Sequence, residues 1–180
     1  MFKLAIAPLM VAGLVAGAFA GDFAEEADPS KVFVGVELSG ALVQGSHKTN
    51  LNYSSKGFGY GIRLGAQNSE WRTMLTFDRM NNKKVSYERG EVHAQYLFST
   101  AQMVHPFIGI NGGYANYEAE GPDATGKAIN ESDFVYGAEA GLVFDLSDNI
   151  DIDLTYKYSI GQAKAFDHAN NLAVGINYKY

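Results

Sequence analysis

From residue 32 onward, apolar side chains recur at every second position in eight separate segments of the chain. The segment VFVGVELSGAL, for example, places on one face Val32, Val34, Val36, Leu38 and Leu42. A period of two is typical of a β-strand with one apolar face, and no segment beyond residue 30 shows a helical period over three turns. The other seven segments are FGYGIRLGA, WRTMLTF, EVHAQYLF, PFIGINGGYANY, FVYGAEAGLVF, IDIDLTYKY and LAVGINYKY. The pattern predicts an all-β protein of eight strands.

The connections between these predicted strands alternate in length. Those after the second, fourth and sixth strands are short: QNSE, STAQM and SDN. Those after the first, fifth and seventh strands are longer, covering about 44–56, 118–133 and 159–170, whereas MNNKKVS after the third strand is a short exception. Short turns at one end, longer loops at the other and an even number of strands are typical of an outer-membrane barrel. We therefore expect residues 32–180 to form an eight-stranded antiparallel up-and-down transmembrane β-barrel.

The distribution of aromatic and small residues distinguishes a membrane barrel from a soluble one. On the apolar face, aromatic side chains cluster at both ends of the predicted strands, with aliphatic residues between them. Two aromatic girdles around an aliphatic belt are typical of a lipid-facing surface. The opposite face is rich in glycine, which suits the crowded interior of a barrel of eight strands. The apolar face is therefore predicted to face lipid.

Charged residues on the glycine-rich face would point into the lumen. Because buried charges require partners, and both signs are present, we expect a structural polar network that fills the lumen. Asp151 and Asp153 share this face, and we expect them to form salt bridges with Lys157 or Arg63. A narrow channel past these side chains is the alternative. The residues predicted for the network are Glu37, Arg63, Glu91, His93, Glu139, Asp153, Lys157 and Lys179.

The N-terminus has the three parts of a secretory signal peptide. Lys3 supplies the positive charge, Leu4–Gly17 is apolar, and Ala18-Phe19-Ala20 fits the rule for cleavage after Ala20. A membrane anchor is the alternative, but the apolar run is shorter than the roughly 20 residues that a spanning helix needs. We expect residues 1–20 to be removed and residues 21–31 to form a flexible leader.

Composition excludes several kinds of chemistry. The chain has no cysteine, which excludes disulfides, thiolate metal sites and a cysteine nucleophile. Its 20 acidic side chains outnumber 14 basic ones, for a net charge of −6, which disfavours nucleic acid as a partner. Neither paired metal ligands nor a phosphate-binding glycine loop before a helix is present. We expect no metal and no cofactor.

The segments HPFIGINGGYANY, YGAEAGLVFDLSDNIDIDLTYKY and LAVGINYKY resemble the last four strands of small outer-membrane β-barrel proteins. These include the transmembrane domain of OmpA-type proteins and the opacity-type surface proteins. The resemblance covers the whole mature chain in pattern and about the last 75 residues in motif. It implies an integral outer-membrane protein with a structural or surface-interaction role, and we expect this protein to be a monomer. It also implies that the barrel assembly machinery reads Leu172–Tyr180, although family members usually end in phenylalanine.

Two further functions are alternatives to this role. Lipid A deacylases, which resemble this chain in size, carry a His-x-Ser-Asn motif, but in FDHANN the serine position holds Asn170, so His168 has no nucleophile to activate. We therefore expect no enzyme, and place His168 in a solvated loop. Adhesion through the acidic loop EAEGPDATGKAINESD is the other alternative. Candidate contacts to lipopolysaccharide phosphates at the outer rim, with a solvated loop as the alternative, are Lys83, Lys84 and Arg89.

Overall fold

The computed structural model describes residues 30–45, 54–82, 85–99, 103–119, 129–161 and 166–180. Within these residues the chain forms eight β-strands: β1 Lys31–Gly45, β2 Ser54–Gln67, β3 Trp71–Asn82, β4 Val85–Leu97, β5 Val104–Ala119, β6 Ile129–Ser147, β7 Ile150–Gly161 and β8 Phe166–Lys179. The predicted signal peptide and the leader up to residue 29 lie outside the described residues, whereas Lys31 already belongs to β1.

No helix in the described part of the chain is long and apolar enough to cross a membrane.

The eight strands form a closed antiparallel barrel, which confirms the predicted fold class. Each strand pairs with the next, and β1 pairs with β8. Following the paired residues once around the barrel from Val32 leads back to Leu42, ten residues further along β1. A shift of this size in a barrel of eight strands requires the strands to tilt by about 40° from the axis. Transmembrane strands have this tilt.

The strands are 12 to 19 residues long and extend beyond the segments that the apolar pattern marked. Backbone pairing continues after the outward side chains become polar, as between Asn81 and Ser86 on β3 and β4. Hydrophobic alternation detects only the part of a strand that contacts lipid, so it underestimates strand length. One consequence is a correction: His168 lies in β8 and not in a loop.

The outer surface carries the apolar face, as predicted. Aliphatic side chains in the middle of the strands are exposed, among them Val36, Ile62, Ile110 and Ile176. Aromatic side chains flank them at both ends, and all but half-buried Tyr96 and Phe144 are exposed. The end with short connections carries Trp71, Tyr96, Phe98, Phe144, Tyr178 and Tyr180, and the other end carries Phe58, Tyr60, Phe77, Tyr114, Phe134, Tyr136, Tyr156 and Tyr158. In a barrel of this kind the short turns are periplasmic and the longer loops extracellular.

Candidate functional site

Arg63 lies at the centre of a group of buried charges in the lumen, which we name the Arg63 cluster: Glu37, Arg63, Arg72, Asp153 and Lys157. Nη2 and Nε of Arg63 donate to Oε2 of Glu37 at 2.6 and 2.9 Å, and Nη1 donates to Oδ2 of Asp153 at 2.5 Å. Lys157 Nζ lies 3.3 Å from Oε1 of Glu37, and Arg72 Nη1 lies 3.3 Å from Oδ2 of Asp153. Every charge in the cluster is buried and has a partner of opposite sign. Such pairing offsets the cost of removing the charges from water.

Gly175 makes the approach of Arg63 to its partners possible. This β8 residue pairs with Glu37 of β1 on one side and with Asp153 of β7 on the other. The guanidinium group of Arg63 lies against Gly175, so a Cβ atom there would overlap Nη1 and Cζ of Arg63. A residue with a side chain at this position would therefore displace the central cation.

Replacing Gly175 with alanine is expected to lower the free energy of unfolding by roughly 1–3 kcal/mol, because the added methyl group pushes Arg63 away from its carboxylates. Gly40→Ala is the matched control, since a Cβ at Gly40 meets no atom within 4 Å. Urea unfolding in lipid vesicles, followed by the fluorescence of Trp71, measures both variants. Equal midpoints for the two would show that Arg63 does not depend on Gly175.

The charged cluster continues toward the periplasmic end through Asp151. Its carboxylate lies 3.1 Å from Nη2 of Arg72 and 3.4 Å from Nζ of Lys179, and it accepts a hydrogen bond from Nδ2 of Asn177 at 2.7 Å. Nζ of Lys179 also lies 2.7 Å from Oδ1 of Asp145. Of the two aspartates considered from the sequence, Asp153 pairs with Arg63, whereas Asp151 pairs with Arg72 and Lys179.

A second group of polar residues surrounds His93. Nδ1 of His93 lies 2.9 Å from Oε2 of Glu139, and Nε2 lies 2.9 Å from Oγ1 of Thr76. Gln95 donates to the other oxygen of Glu139 at 2.8 Å, and Glu91 lies 3.7 Å from Nε2 of His93. Because a carboxylate only accepts, the hydrogen of the Glu139 bond belongs to Nδ1.

The order Glu139–His93–Thr76 is that of a carboxylate, a base and a hydroxyl in a catalytic triad. All three are buried, however, and His93 and Thr76 have no exposed surface. A nucleophile must reach its substrate. The arrangement therefore serves to satisfy buried polar groups. Among the described residues, no group of His, Asp or Glu side chains is arranged to hold a metal ion.

Arg89 points into the lumen, so its predicted position at the outer rim is wrong. Its Nε lies 3.0 Å from Oδ1 of Asp78 and 3.2 Å from Oε2 of Glu91, and the side chain is buried. The strand β4 runs through Arg89, which therefore shares the inward face of Glu91 and His93. The other two candidates for lipopolysaccharide contact, Lys83 and Lys84, lie outside the described residues.

Buried apolar side chains also line the interior toward both ends of the barrel. Leu97, Phe107 and Val143 form a buried cluster on the periplasmic side. On the extracellular side, Met80 and Tyr87 follow Asp78 and Arg89 along β3 and β4 and are also buried. The guanidinium of Arg72 lies 5.3 Å from the ring of Phe33, which is also buried, and that of Arg89 lies 5.7 Å from the ring of Tyr87. Two of the buried guanidinium groups thus contact aromatic rings as well as carboxylates.

In the FDHANN motif, His168 and Asn170 face away from this interior. His168 and Asn170 alternate with the inward-facing Ala169 and Asn171, which are buried. Oδ1 of Asn170 accepts a hydrogen bond from the hydroxyl of Tyr156 at 2.6 Å. His168 and Asn170 are therefore part of the outer surface of β8.

All eight residues predicted for the lumen network are buried inside the barrel. The predicted network lacks Arg72, Asp78 and Gln95, although each lies two residues from an inward-facing neighbour. The alternation of β3 is weak because Thr73 interrupts its apolar face, and this hid the role of Arg72 and Asp78. Strand parity within the segments WRTMLTF and EVHAQYLF identifies Arg72 and Gln95 as inward-facing, and extending β3 beyond Phe77 adds Asp78.

Comparison with known proteins agrees with this architecture. The family model for Opacity family porin proteins matches residues 65–180. Neisserial surface protein A, from Neisseria, is similar in structure with a TM-score of 0.71 and 20% identity, over 85% of this chain and 100% of that one. OprH of Pseudomonas aeruginosa gives 0.59 and 19%, over 83% and 99%. Ail of Yersinia pestis, solved with the heparin analogue sucrose octasulfate, gives 0.53 and 16%, over 84% and 99%.

No curated protein matches the sequence. At 20% identity or less, the structural similarities establish the fold, while the family model covers more than half of the chain. The protein therefore belongs to the Opacity family of porin proteins and is an integral β-barrel of the bacterial outer membrane.

Proposed function

We propose that the protein is a non-conducting, non-enzymatic barrel that acts through its outer surface and its extracellular end. The observation that supports this proposal is the filled lumen. Five basic and six acidic side chains are buried there together with His93. A permeating ion would have to separate pairs such as Arg63–Glu37 and then pass residues that cannot replace its hydration shell.

A narrow channel is the second candidate, and the family description as porins favours it. The two functions make opposite predictions for the purified barrel in planar lipid bilayers. We expect no steady single-channel current at physiological salt, because the charged side chains described in the lumen are paired with one another. Heat-modifiable mobility on gels, measured on the same preparation, ensures that folded protein was inserted. A reproducible unitary conductance would overturn the sealed barrel.

The proposal includes two steps before insertion. A signal peptide is cleaved after Ala20, and Leu172–Tyr180 is the segment that the barrel assembly machinery receives. The position of this segment in β8, paired with β1 at the closure of the barrel, supports the second step. N-terminal sequencing of the protein from outer membranes tests the first, with Gly21 expected as the first residue. The barrel acts as a monomer in this proposal.

Lipid A modification is not part of the proposed function. The hydroxyl of Thr76 beside His93 is buried, and the FDHANN motif has Asn170 in place of a serine nucleophile. Lipid is instead proposed as a binding partner. Lys83 and Lys84 are retained as candidate contacts to lipopolysaccharide, because the sequence places them between β3 and β4, at the extracellular end of the barrel.

A further inference from the structure

Among the residues that the structure describes, basic side chains on the outside of the barrel occur in two places. Of the eight basic residues that the structure describes, five point into the lumen. Lys31 is exposed at the periplasmic end, and the remaining two, Lys56 and Arg79, are exposed at the extracellular end. These two lie on adjacent strands, β2 and β3. The outer surface therefore has one described basic region near the extracellular leaflet.

This region follows directly on the aromatic girdle. On the outer face of β2, Ile62 is followed by Tyr60, Phe58 and Lys56, so the surface changes from aliphatic to aromatic to cationic. Arg79 pairs with Tyr60 across the ladder. We name Lys56, Phe58, Tyr60 and Arg79 the outer basic patch. Its two rings are among the most exposed apolar side chains, at 74% for Phe58 and 60% for Tyr60.

The geometry of the outer basic patch fits a lipid that carries phosphate. Aromatic rings mark the boundary between acyl chains and headgroups, so a cation immediately beyond them lies at the level of lipid phosphates. An arginine can bind two phosphate oxygens at once through its planar guanidinium. The chain as a whole has a net charge of −6, so general electrostatic attraction does not bring it to an anionic lipid. Local cations must do so.

Arg79 is available for such a contact because its present partners hold it weakly. Nη1 lies 3.4 Å from Oε1 of Glu88, and Nε lies 3.4 Å from Oδ1 of Asn81. The side chains of Arg79 and Glu88 are 49% and 45% exposed. A long, exposed ion pair of this kind contributes little to stability. A phosphate that accepts two hydrogen bonds from Arg79 can replace Glu88.

We propose that the outer basic patch binds the phosphate groups of lipopolysaccharide in the outer leaflet, with acyl chains of the same molecule along Phe58 and Tyr60. The inference deepens the proposed surface role and rests on it for the orientation of the barrel. Arg79 takes the place that the sequence had suggested for Arg89. Lipopolysaccharide is favoured over other anionic lipids because the patch is at the extracellular end, where the outer leaflet consists mainly of it.

Titration of the folded barrel in neutral detergent micelles with diphosphorylated lipid A tests the proposal. We expect Arg79→Gln to weaken binding roughly fivefold and the double variant with Lys56→Gln roughly 25-fold. Lys31→Gln is the matched control, since it removes one exposed positive charge at the periplasmic end and should leave binding unchanged. Glu88→Gln removes the competing carboxylate and should strengthen binding. Heat-modifiable mobility confirms that each variant is folded.

Three results would overturn the proposal: wild-type affinity in the double variant, equal binding of lipid A from which the phosphates have been removed, or equal binding of phosphatidylglycerol. Inorganic phosphate alone should not bind measurably, because it lacks the chains that contact Phe58 and Tyr60. None of these results depends on conductance. A barrel that carries no current but binds every lipid equally would refute only the proposal for the outer basic patch. A barrel that conducts ions but prefers lipid A would refute only the proposal of a sealed lumen.

Discussion

Replacing Arg63 with methionine is expected to lower the free energy of unfolding of the barrel by roughly 3 kcal/mol, because the carboxylates of Glu37 and Asp153 lose their shared cation inside the lumen. This loss of free energy is at the lower end of the range for breaking a buried ion pair, because Glu37 and Asp153 each keep another cationic partner. Lys157 still lies 3.3 Å from Glu37, and Arg72 still lies 3.3 Å from Asp153. Urea unfolding in lipid vesicles, followed by Trp71 fluorescence and by heat-modifiable mobility, measures the change.

Two further variants test whether the loss of stability comes from unpairing buried charges or from removing any arginine. Arg79→Met removes an arginine of equal size from an exposed pair and should cost less than about 1 kcal/mol. Adding Asp153→Asn to Arg63→Met removes one of the two carboxylates that lost Arg63, while Arg72 keeps Asp151 as a partner, and should recover part of the stability. If Arg63→Met and Arg79→Met unfold at the same urea concentration, the Arg63 cluster does not stabilise the barrel.

Deleting Tyr178–Tyr180 is expected to reduce the amount of folded barrel in the outer membrane at least tenfold while total synthesis stays the same. The deletion removes three contacts that close the periplasmic end. The amide of Tyr180 donates to the carbonyl of Val32 at 2.9 Å, that of Lys179 donates to Asn149 at 2.7 Å, and Nζ of Lys179 pairs with Asp145. Unpaired strand edges are not tolerated in lipid, and a loss of 1.4 kcal/mol already corresponds to a factor of ten. Fractionation of cells and gel mobility measure the outcome.

A second variant distinguishes closure of the barrel from recognition of its last strand. Tyr178→Leu with Tyr180→Leu keeps the backbone and Lys179 but removes an aromatic pair whose ring centres are 5.0 Å apart. It should fold into lipid vesicles as well as wild type, whereas the truncated chain should not. If the leucine variant is lost only in cells, the aromatic residues serve the assembly machinery. Normal assembly of the truncated chain would contradict both roles of Leu172–Tyr180.

Several features could be predicted from the sequence because strand parity is a local property. Successive side chains on a strand point to opposite faces, so one well-placed residue assigns the orientation of its neighbours. Val36 outside and Glu37 inside follow from this rule alone. The aromatic girdles follow from it as well, since Tyr178 and Tyr180 share the parity of Ile176. The same rule placed Lys179 and Lys157 in the lumen.

Strand ends could not be predicted in this way. The apolar pattern of β4 fades before Arg89, and a basic residue near a turn resembles a rim residue. The ladder nevertheless continues to Val85, and this places Arg89 against Asp78 inside the barrel. Arg79, at the other side of the same hairpin, faces out. A shift of one position along a strand moves a side chain to the opposite face. This decides which of the two arginines faces outward and which faces the lumen.

By itself, the sequence determined the class of fold, the lipid-facing surface and which charges face inward, because alternation and composition depend on near neighbours along the chain. Only the tertiary structure decided which charges meet. Lys157 and Glu37 are 120 positions apart and lie within 3.3 Å of each other. Their contact depends on a register that shifts by ten residues around the barrel and on Gly175, which leaves room for Arg63 between β1 and β7. Closure of the barrel fixes this register, since each strand must match both of its neighbours at once.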